Sequence, residues 1–242
     1  KIRYRMNEDT NLQITQKPTL VIPDVSNSPF SIVYNEDCVQ GLKRFSDKHF
    51  DLAIVDPPYG IGAGSKSFIN RNTANKRAEK FYKDNDWDKC TPEAEYWKEL
   101  MRVSKNWIVW GGNYFTQYLP PARCFIVWDK KTGSNSYADC ELALTNIDSN
   151  ARIITKFWLG AHAQDDDGRI HPTQKPIMVY DFIYQNYAKE GYKILDTHLG
   201  SGSNRISAHK NGFDFTGFEI DKDYYEAQEK RFKQFTAQQR LF

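Results

Sequence analysis

The sequence lacks several features that would assign it to a class at once. Its four cysteines, Cys38, Cys90, Cys124 and Cys140, are scattered, and no C-x-x-C pair indicates a zinc site or a redox dithiol. No apolar stretch approaches the ~20 residues of a membrane span. The first residues, KIRYRMNEDT, contain no apolar signal-peptide core. We therefore expect a soluble cytoplasmic protein with reduced thiols.

Neither sign of charge is in excess. Lys and Arg number 33 and Asp and Glu number 31, which leaves a net charge of +2. This balance excludes a polycation and an acidic tail, but it does not exclude a nucleic-acid-binding protein, which needs only a local basic face. Hydrophobic residues make up 40% of the chain and aromatic residues 14%, which is typical of a folded protein and not of a disordered one.

The 242 residues are enough for one large domain. Residues 1–29 are interpreted as an N-terminal extension, and residues 30–242 as a single domain. Short apolar runs bounded by polar, Gly or Pro residues predict seven strands in that domain. These runs are Phe30–Tyr34, Phe50–Val55, Trp107–Trp110, Phe125–Trp128, Glu141–Leu144, Lys193–Leu195 and Phe213–Phe218.

Three segments between the strands predict helices. In the first of them, Thr91 is the expected N-cap and Pro92 the first helical residue. Strands that alternate with helices predict an α/β fold, in which a mostly parallel sheet is covered on both faces. The helical segments are Thr91–Ser104, Pro176–Lys189 and Tyr224–Phe235.

Two long segments, residues 60–90 and 146–171, fit neither pattern and are predicted to be inserted connections. Connections of this length in a compact domain are usually functional or mobile. From residue 66 to residue 83 the first one contains six bases and one acid, Glu79. It is either a solvated insertion or a segment that meets a phosphate backbone. The six bases are Lys66, Arg71, Lys76, Arg77, Lys80 and Lys83.

The sequence Asp56-Pro57-Pro58-Tyr59 directly follows the second predicted strand. Its two prolines fix the backbone at the carboxyl end of a strand, where open α/β sheets bind ligands. Asp56 and the carbonyl of Pro57 could accept the two hydrogens of an aryl amine, and Tyr59 could stack on its ring. Two acceptors favour a pyramidal nitrogen whose lone pair can attack. A rigid turn that only ends a strand is the alternative.

A glycine turn follows the sixth predicted strand. Gly200 and Gly202 allow a close approach of the backbone to a ligand. The dinucleotide pattern would require a third glycine at position 205, which is Arg205. Glu219 ends the next predicted strand, where an acid is suited to the hydroxyls of a ribose. The unit therefore predicts a nucleoside site without a pyrophosphate, or an ordinary strand-turn-helix.

Together, these motifs resemble the DNA amino-methyltransferases that use S-adenosylmethionine. DPPY is similar to the catalytic motif of that family, and LDTHLGSGS (residues 195–203) to its cofactor loop. HPTQKP (residues 171–176) resembles the motif that closes over the methionine part of the cofactor, and NEDC (residues 35–38) the position that contacts its adenine. The order of the motifs is that of the permuted β group, and the resemblance spans residues 30–235.

The resemblance implies a Rossmann-like, seven-stranded methyltransferase sheet with a circularly permuted motif order. It also implies methyl transfer to the N6 amine of a flipped-out adenine by direct in-line displacement, with no covalent enzyme intermediate and no metal. The resemblance assigns contact with the target base to Asp56, Pro57, Pro58 and Tyr59. It assigns binding of S-adenosylmethionine to Asp37, Cys38, Asp56, His171, Thr173, Lys175, Asp196, His198, Gly200, Ser201, Gly202, Ser203 and Glu219. Lys66, Arg71, Lys76, Arg77 and Lys80 are expected to bind DNA, and both inserted segments, 60–90 and 146–171, are expected to face it.

One departure and several alternatives remain. Thr197-His198 stands where the family usually has Pro-Phe, and we expect the imidazole to replace the Phe in packing, although it could also titrate near neutrality. Asp56 favours adenine, because most members of the family that act on cytosine N4 have Ser in place of this Asp. The alternatives are a cytosine-N4 enzyme, a small-molecule or RNA methyltransferase, and a catalytically weak DNA-binding subunit. DNA is the expected partner, with a second copy or a specificity subunit.

Overall fold

The computed structural model describes residues 29–63, 88–133, 138–156 and 170–239. In these residues eight strands form a single sheet, and five α-helices accompany it. The strands are β1 (Ser31–Tyr34), β2 (Phe50–Val55), β3 (Ser104–Trp110), β4 (Phe125–Asp129), β5 (Cys140–Thr145), β6 (Arg152–Thr155), β7 (Lys193–Asp196) and β8 (Asp214–Phe218). The helices are α1 (Cys38–Leu42), α2 (Ala94–Val103), α3 (Ile177–Tyr187), α4 (Ser203–Lys210) and α5 (Lys222–Gln239).

The sheet is mostly parallel, as the sequence predicts. Its strand order is β1-β8-β7-β2-β3-β5-β4-β6, and β5 alone runs antiparallel to its neighbours β3 and β4. The central strand β2 is buried along nearly its whole length, which is typical of a parallel strand covered on both faces.

Helices cover both faces of the sheet, and alternate residues of each strand meet them. Leu52 and Ile54 of β2 belong to a hydrophobic cluster with α3 and α4. Ala53 and Val55 belong to a second cluster with α1 and α2. Two apolar faces explain why these strands are continuous hydrophobic runs, and each large side chain buried there contributes about 1.5–3 kcal/mol.

All seven predicted strands are present, and the structure adds β6. This strand lies in the segment 146–171 that the sequence predicts to be a connection, so that prediction was wrong for Arg152–Thr155. It escapes the sequence pattern because Ile154 is its only buried residue and the strand pairs only with β4, at the edge of the sheet. A single apolar contact in four residues leaves no periodic signal.

The helices differ from the sequence prediction mainly at their ends. α2 begins at Ala94 with Glu93 at the N-cap position, so the prediction of Thr91 as N-cap and Pro92 as first helical residue was wrong. Thr91 instead lies against Gly60. α3 begins just after Pro176, and α5 extends over Lys222–Gln239. None of the described helices is long and apolar enough to cross a membrane.

The strand order creates a crevice at the carboxyl edge of the sheet. β7 and β2 are parallel neighbours, and the chain leads from β7 to β8 on one side and from β2 to β3 on the other. Such a reversal of direction separates the loops that follow the two central strands, and ligands of open α/β sheets bind there. Asp196 ends β7, and Asp56 directly follows β2. The predicted motifs therefore meet at the switch point.

Candidate active site

Asp56 lies directly after β2, at the switch point of the sheet. The hydroxyl of Tyr59 donates to its Oδ1 at 2.6 Å, and the ammonium of Lys175 forms an ion pair with its Oδ2. The Asp56 side chain is 19% exposed, so a ligand can still reach it. The turn after β2 thus presents a carboxylate held by two donors from different parts of the chain.

The ring of Tyr59 is held by residues that follow β3. Tyr114 stacks on it, with the ring centroids 4.9 Å apart and the planes at 14°, and Phe115 meets it edge-on. Gly111 is required here, because a Cβ at that position would lie 2.2 Å from Cε1 of Tyr59. Burial, reinforced by Asp56, raises the pKa of Tyr59 well above its usual value, so the phenol stays a hydrogen-bond donor. Sequence reasoning missed Gly111 and Tyr114.

Lys175 is the second of four groups of alternating charge that lie in a row beginning at Asp56. Its ammonium lies 3.0 Å from Oε2 of Glu141, the other oxygen of which is 2.5 Å from the ammonium of Lys130. Burial alone would raise the pKa of Glu141, but the two lysines lower it to about 2. Burial alone would lower the pKa of Lys175, but Asp56 and Glu141 raise it. Glu141 and Lys175 are therefore both charged at neutral pH.

The turn of residues 171–176 connects this chain of charges with the glycine turn. At one end, the ring of His171 packs 4.4 Å from that of Tyr224, and a Cβ on Gly200 would lie 3.6 Å from it. Thr173 is exposed, and its hydroxyl lies 3.1 Å from Nδ1 of His171. At the other end, Lys175 meets Asp56. The sequence assigned Lys175 to the cofactor, whereas its contacts in the structure are with Asp56 and Glu141.

The glycine turn is fastened to Glu219. The backbone N–H of Gly200 donates to Oε2 of Glu219 at 2.8 Å, and that of Asp221 donates to the other oxygen at 2.9 Å. Gly200 and Gly202 have φ values of +53° and +74°, which favour glycine because they lie in the left-handed region. Burial raises the pKa of Glu219 to about 7, although these hydrogen bonds oppose it. The turn and the acid predicted for the ribose thus form one unit.

Asp196 ends β7 beneath the same crevice. Its Oδ2 accepts a hydrogen bond from Nδ2 of Asn204 at 2.9 Å, and its Oδ1 accepts one from the backbone of His198 at 3.1 Å. Asn204 also donates to the carbonyl of Ile54 at 3.1 Å and so ties β7 to β2. Burial raises the pKa of Asp196 to about 7. Asn204, which no sequence pattern marks, holds the two central strand ends together.

His198 packs against Tyr96 and Thr197. Its ring meets Tyr96 edge-on at 5.2 Å, and its Nδ1 lies 3.0 Å from the hydroxyl oxygen of Thr197. That hydroxyl is 2.7 Å from the hydroxyl of Tyr96. Burial lowers the pKa of His198 to about 4, so the imidazole is neutral near pH 7.

Asp37 and Cys38 lie at the start of α1, beside the end of β8. Asp37 is exposed and caps the helix, since its carboxylate accepts the backbone N–H of Gln40 at 2.9 Å. Burial raises the pKa of the Cys38 thiol to about 12, so it remains protonated. Asn35 donates to the carbonyl of Glu219 at 2.7 Å, which brings this segment to the glycine turn.

Ser201 and Ser203 are buried and engaged within the chain. Their hydroxyl oxygens lie 3.1 Å apart, and the guanidinium of Arg231 donates to the carbonyl of Ser201 and to the hydroxyl of Ser203. Arg205, where a dinucleotide site would have glycine, packs its guanidinium 3.9 Å from the ring of Phe232. These side chains therefore attach α5 to the turn.

The residues predicted to bind DNA, Lys66, Arg71, Lys76, Arg77 and Lys80, lie outside the described residues. The structure does show where their segment leaves and rejoins the domain. Asp88 accepts backbone hydrogen bonds from Gly60 at 2.9 Å and Ala63 at 2.7 Å, and its own carbonyl accepts one from Gly62 at 3.0 Å. The two ends therefore meet directly after Tyr59. Among the described residues, no group of His, Cys, Asp or Glu is arranged to hold a metal ion.

Comparisons with known proteins agree with this geometry. Residues 104–230, just over half of the chain, match the family model for N6/N4 methyltransferases, described as "DNA methylase". The type II methyltransferase M2.LlaDCHI of Lactococcus lactis subsp. cremoris is 22% identical over 245 residues, which cover 83% of this chain and 88% of that protein.

Solved structures share the fold. The M1.HpyAVI–SAM complex superposes with a TM-score of 0.53 at 18% identity and covers 82% of this chain and 97% of its own. The PvuII DNA methyltransferase, titled cytosine-N4-specific, superposes with a TM-score of 0.55 at 10% identity and covers 87% and 93%. At such identities the likeness establishes the Rossmann-like methyltransferase fold, as the sequence predicts, and nothing finer.

Proposed function

The chain belongs to the N6/N4 DNA methylase family, and we propose that it moves a methyl group from S-adenosylmethionine to the N6 amine of a flipped-out adenine in DNA. The observation that carries this proposal is the carboxylate of Asp56, held by Tyr59 and Lys175 at the switch point of the sheet. The base must leave the duplex because an amine inside the stack cannot reach a carboxylate in a crevice.

The chemistry requires an acceptor at this place. The lone pair of an aryl amine is delocalised into the ring, so the nitrogen attacks only after its hydrogens are bound and it becomes pyramidal. Each oxygen of Asp56 has a further lone pair beyond the one used by Tyr59 or Lys175. Asp56 can therefore accept an amine hydrogen, with the carbonyl of Pro57 for the second one.

The cofactor site fits a nucleoside next to this carboxylate. When bound, S-adenosylmethionine supplies an electrophilic methyl group on a sulfonium sulfur. Glu219 would hold the ribose hydroxyls, and the left-handed glycines allow the backbone to approach the ligand. His171 lies over Gly200 and would cover the methionine part. A complex of M1.HpyAVI with SAM, a chain of the same fold, supports this assignment.

Adenine is favoured over cytosine by the first residue of the motif. Most relatives that methylate cytosine N4 resemble the motif with Ser, whereas this chain has Asp56. The cytosine-N4-specific PvuII enzyme shares the fold at 10% identity, which supports no conclusion about the base. Methylation of cytosine N4 therefore stands as the second candidate.

We also propose that the basic residues at 66–80 contact the DNA backbone. Their segment leaves and rejoins the domain where Asp88 binds residues 60–63, directly after Tyr59. Cations placed there would contact phosphates next to the flipped base. A second copy or a specificity subunit stays a prediction.

The test is methyl transfer to a defined base. The chain is incubated with labelled cofactor and unmethylated DNA, and the digested nucleosides are identified by mass. We expect N6-methyladenine, and we expect Asp56→Asn to reduce its formation at least about a hundredfold. Asp47→Asn, which neutralises an exposed carboxylate paired with Arg102, is the matched control and should be as active as the parent. Methylcytosine would refute the choice of base, and no transfer would refute the function.

A further inference from the structure

Lys175 is held between two carboxylates, and the proposed function uses only one of them. Its side chain is 3% exposed, and its ammonium meets Asp56 on one side and Glu141 on the other. Glu141 is the second residue of β5, the antiparallel strand, so it lies at the same edge of the sheet as Asp56. Lys130, which directly follows β4, neutralises the far oxygen of Glu141. Four buried or half-buried charges therefore alternate in a row.

We propose that Glu141 is a positioning residue that keeps Lys175 neutralised while the negative charge of Asp56 is engaged with the target amine or removed by its proton. This inference rests on the proposed function. It gives the second carboxylate a role that the binding of the base alone does not require.

The proton balance of the transfer shows why a second counter-ion is needed. A nitrogen–carbon bond forms from the lone pair of the amine, and the carbon–sulfur bond of the sulfonium breaks with its electron pair left on sulfur. The methylated nitrogen then carries one proton too many. Asp56 is the carboxylate at hand to take that proton and pass it to solvent through its exposed side. During that step Asp56 is neutral and no longer balances Lys175.

An unbalanced ammonium in this position would be costly. A buried charge without a partner is strongly destabilising, and so is the loss of one partner of a buried pair. The 3.0 Å contact with Glu141 leaves Lys175 paired throughout. Glu141 can serve this purpose at any working pH, since its own pKa is about 2. The proton can then reach Asp56 without breaking the last ion pair of Lys175.

Other charged and titratable groups also face these residues. Tyr59, Tyr96, Tyr180 and Asp196 face Asp56 from the surrounding elements, together with Lys175. Tyr59 and Tyr180 also face Glu141. Burial raises the pKa of all three tyrosines well above its usual value, so they stay neutral, and Asp196, with a pKa of about 7, is common to every variant below.

The alternating order of charges predicts effects of opposite sign. In Glu141→Gln, Lys175 belongs to Asp56 alone and stabilises its charged form, so the acidic limb of the pH–rate profile moves to lower pH and kcat falls about tenfold. In Lys130→Gln, Glu141 neutralises Lys175 more completely, so the acidic limb moves to higher pH. We expect shifts of about half a pH unit to one unit, the larger in Glu141→Gln. Glu141→Asp, which keeps the charge, should restore the parental limb.

The measurement is kcat for methyl transfer against pH, with DNA and cofactor both saturating. A second readout needs no turnover: the pH at which the ¹³C resonance of the Asp56 carboxylate changes in the free protein, with Asp56→Asn to identify the resonance. This pH should fall in Glu141→Gln and rise in Lys130→Gln. The control is Lys105→Gln, which breaks a 2.6 Å ion pair with Asp51 at the opposite edge of the sheet and should move neither readout.

The outcomes separate this inference from the proposed function. The role of Glu141 is supported if both readouts move to lower pH in Glu141→Gln and to higher pH in Lys130→Gln. Equal shifts of one sign, or lower rates with unmoved limbs and resonances, would show that Glu141 only supports the structure and would overturn the inference, while the function stands as long as the parent methylates DNA. A parent that transfers no methyl group to DNA would overturn both.

Discussion

The substitution Gly111→Ala tests whether the aromatic part of the site is assembled as described. Gly111 has φ +65°, and the added Cβ would lie 2.2 Å from Cε1 of Tyr59, far inside van der Waals contact. A left-handed alanine costs about 1–2 kcal/mol, and overpacking a filled site costs about 1–3 kcal/mol. We therefore expect a loss of about 2–5 kcal/mol in the free energy of unfolding, measured in urea.

A smaller loss would mean that the ring of Tyr59 has moved away, and activity would then report it. The ring would leave its stack on Tyr114 and its hydroxyl would leave Asp56, so methyl transfer should fall at least tenfold. The control is Gly191→Ala, at φ +79° with no atom within 4 Å of the added Cβ, which isolates the backbone cost. In the double variant Gly111→Ala/Tyr59→Ala the added methyl no longer meets a ring, so the stability lost through overpacking should be regained while the activity stays low.

The reasoning fails if Gly111→Ala and Gly191→Ala lose the same stability and Gly111→Ala keeps parental activity. That result would mean that Tyr59 does not occupy the space beside Gly111 and that its hydrogen bond with Asp56 is not part of the site.

Two further predictions follow from the basic segment and from His198. Replacement of Lys76, Arg77 and Lys80 by Gln should flatten the dependence of log Kd on log salt by about 0.9 per lost phosphate contact; an unchanged slope would show that these residues do not touch phosphate. His198 has a pKa of about 4 in the fold, below its value in the unfolded chain, so the unfolded state binds the extra proton and stability falls as pH drops from about 6.5 to 4. His198→Phe should remove that part of the pH dependence, seen by thermal unfolding, and keep methyl transfer within a few-fold at pH 7.5; a parental slope in the variant would contradict a buried neutral imidazole.

The parts of the site that the sequence predicts are those built from neighbours in the chain. Asp56 follows a continuous apolar run and precedes two prolines, so the end of a strand and a rigid turn are both local properties. Gly200 and Gly202 mark a turn for the same reason, since left-handed backbone favours glycine wherever it occurs. A motif of this kind needs no knowledge of the distant chain.

The remaining parts depend on register and on distant partners. Glu141 begins a predicted strand, where a charged residue is usually a solvated end, and only the antiparallel pairing of β5 with β3 brings it to Lys175. Asp88 gains its role from backbone amides on the far side of a long connection. Tyr114 stacks on Tyr59 because of the turn at Gly111. None of these contacts leaves a periodic or compositional trace in the sequence.

The turn of residues 171–176 is a short span between the glycine turn and Asp56. His171 lies over the glycine turn and Lys175 lies on the carboxylate of Asp56, and the backbone between them is at most about 14 Å long. Because the span is this short, a displacement of His171 is passed on to Lys175. Under the proposed function the two ends belong to the cofactor site and the base site, so we expect a substitution within this span to alter KM for the cofactor and the rate of transfer together.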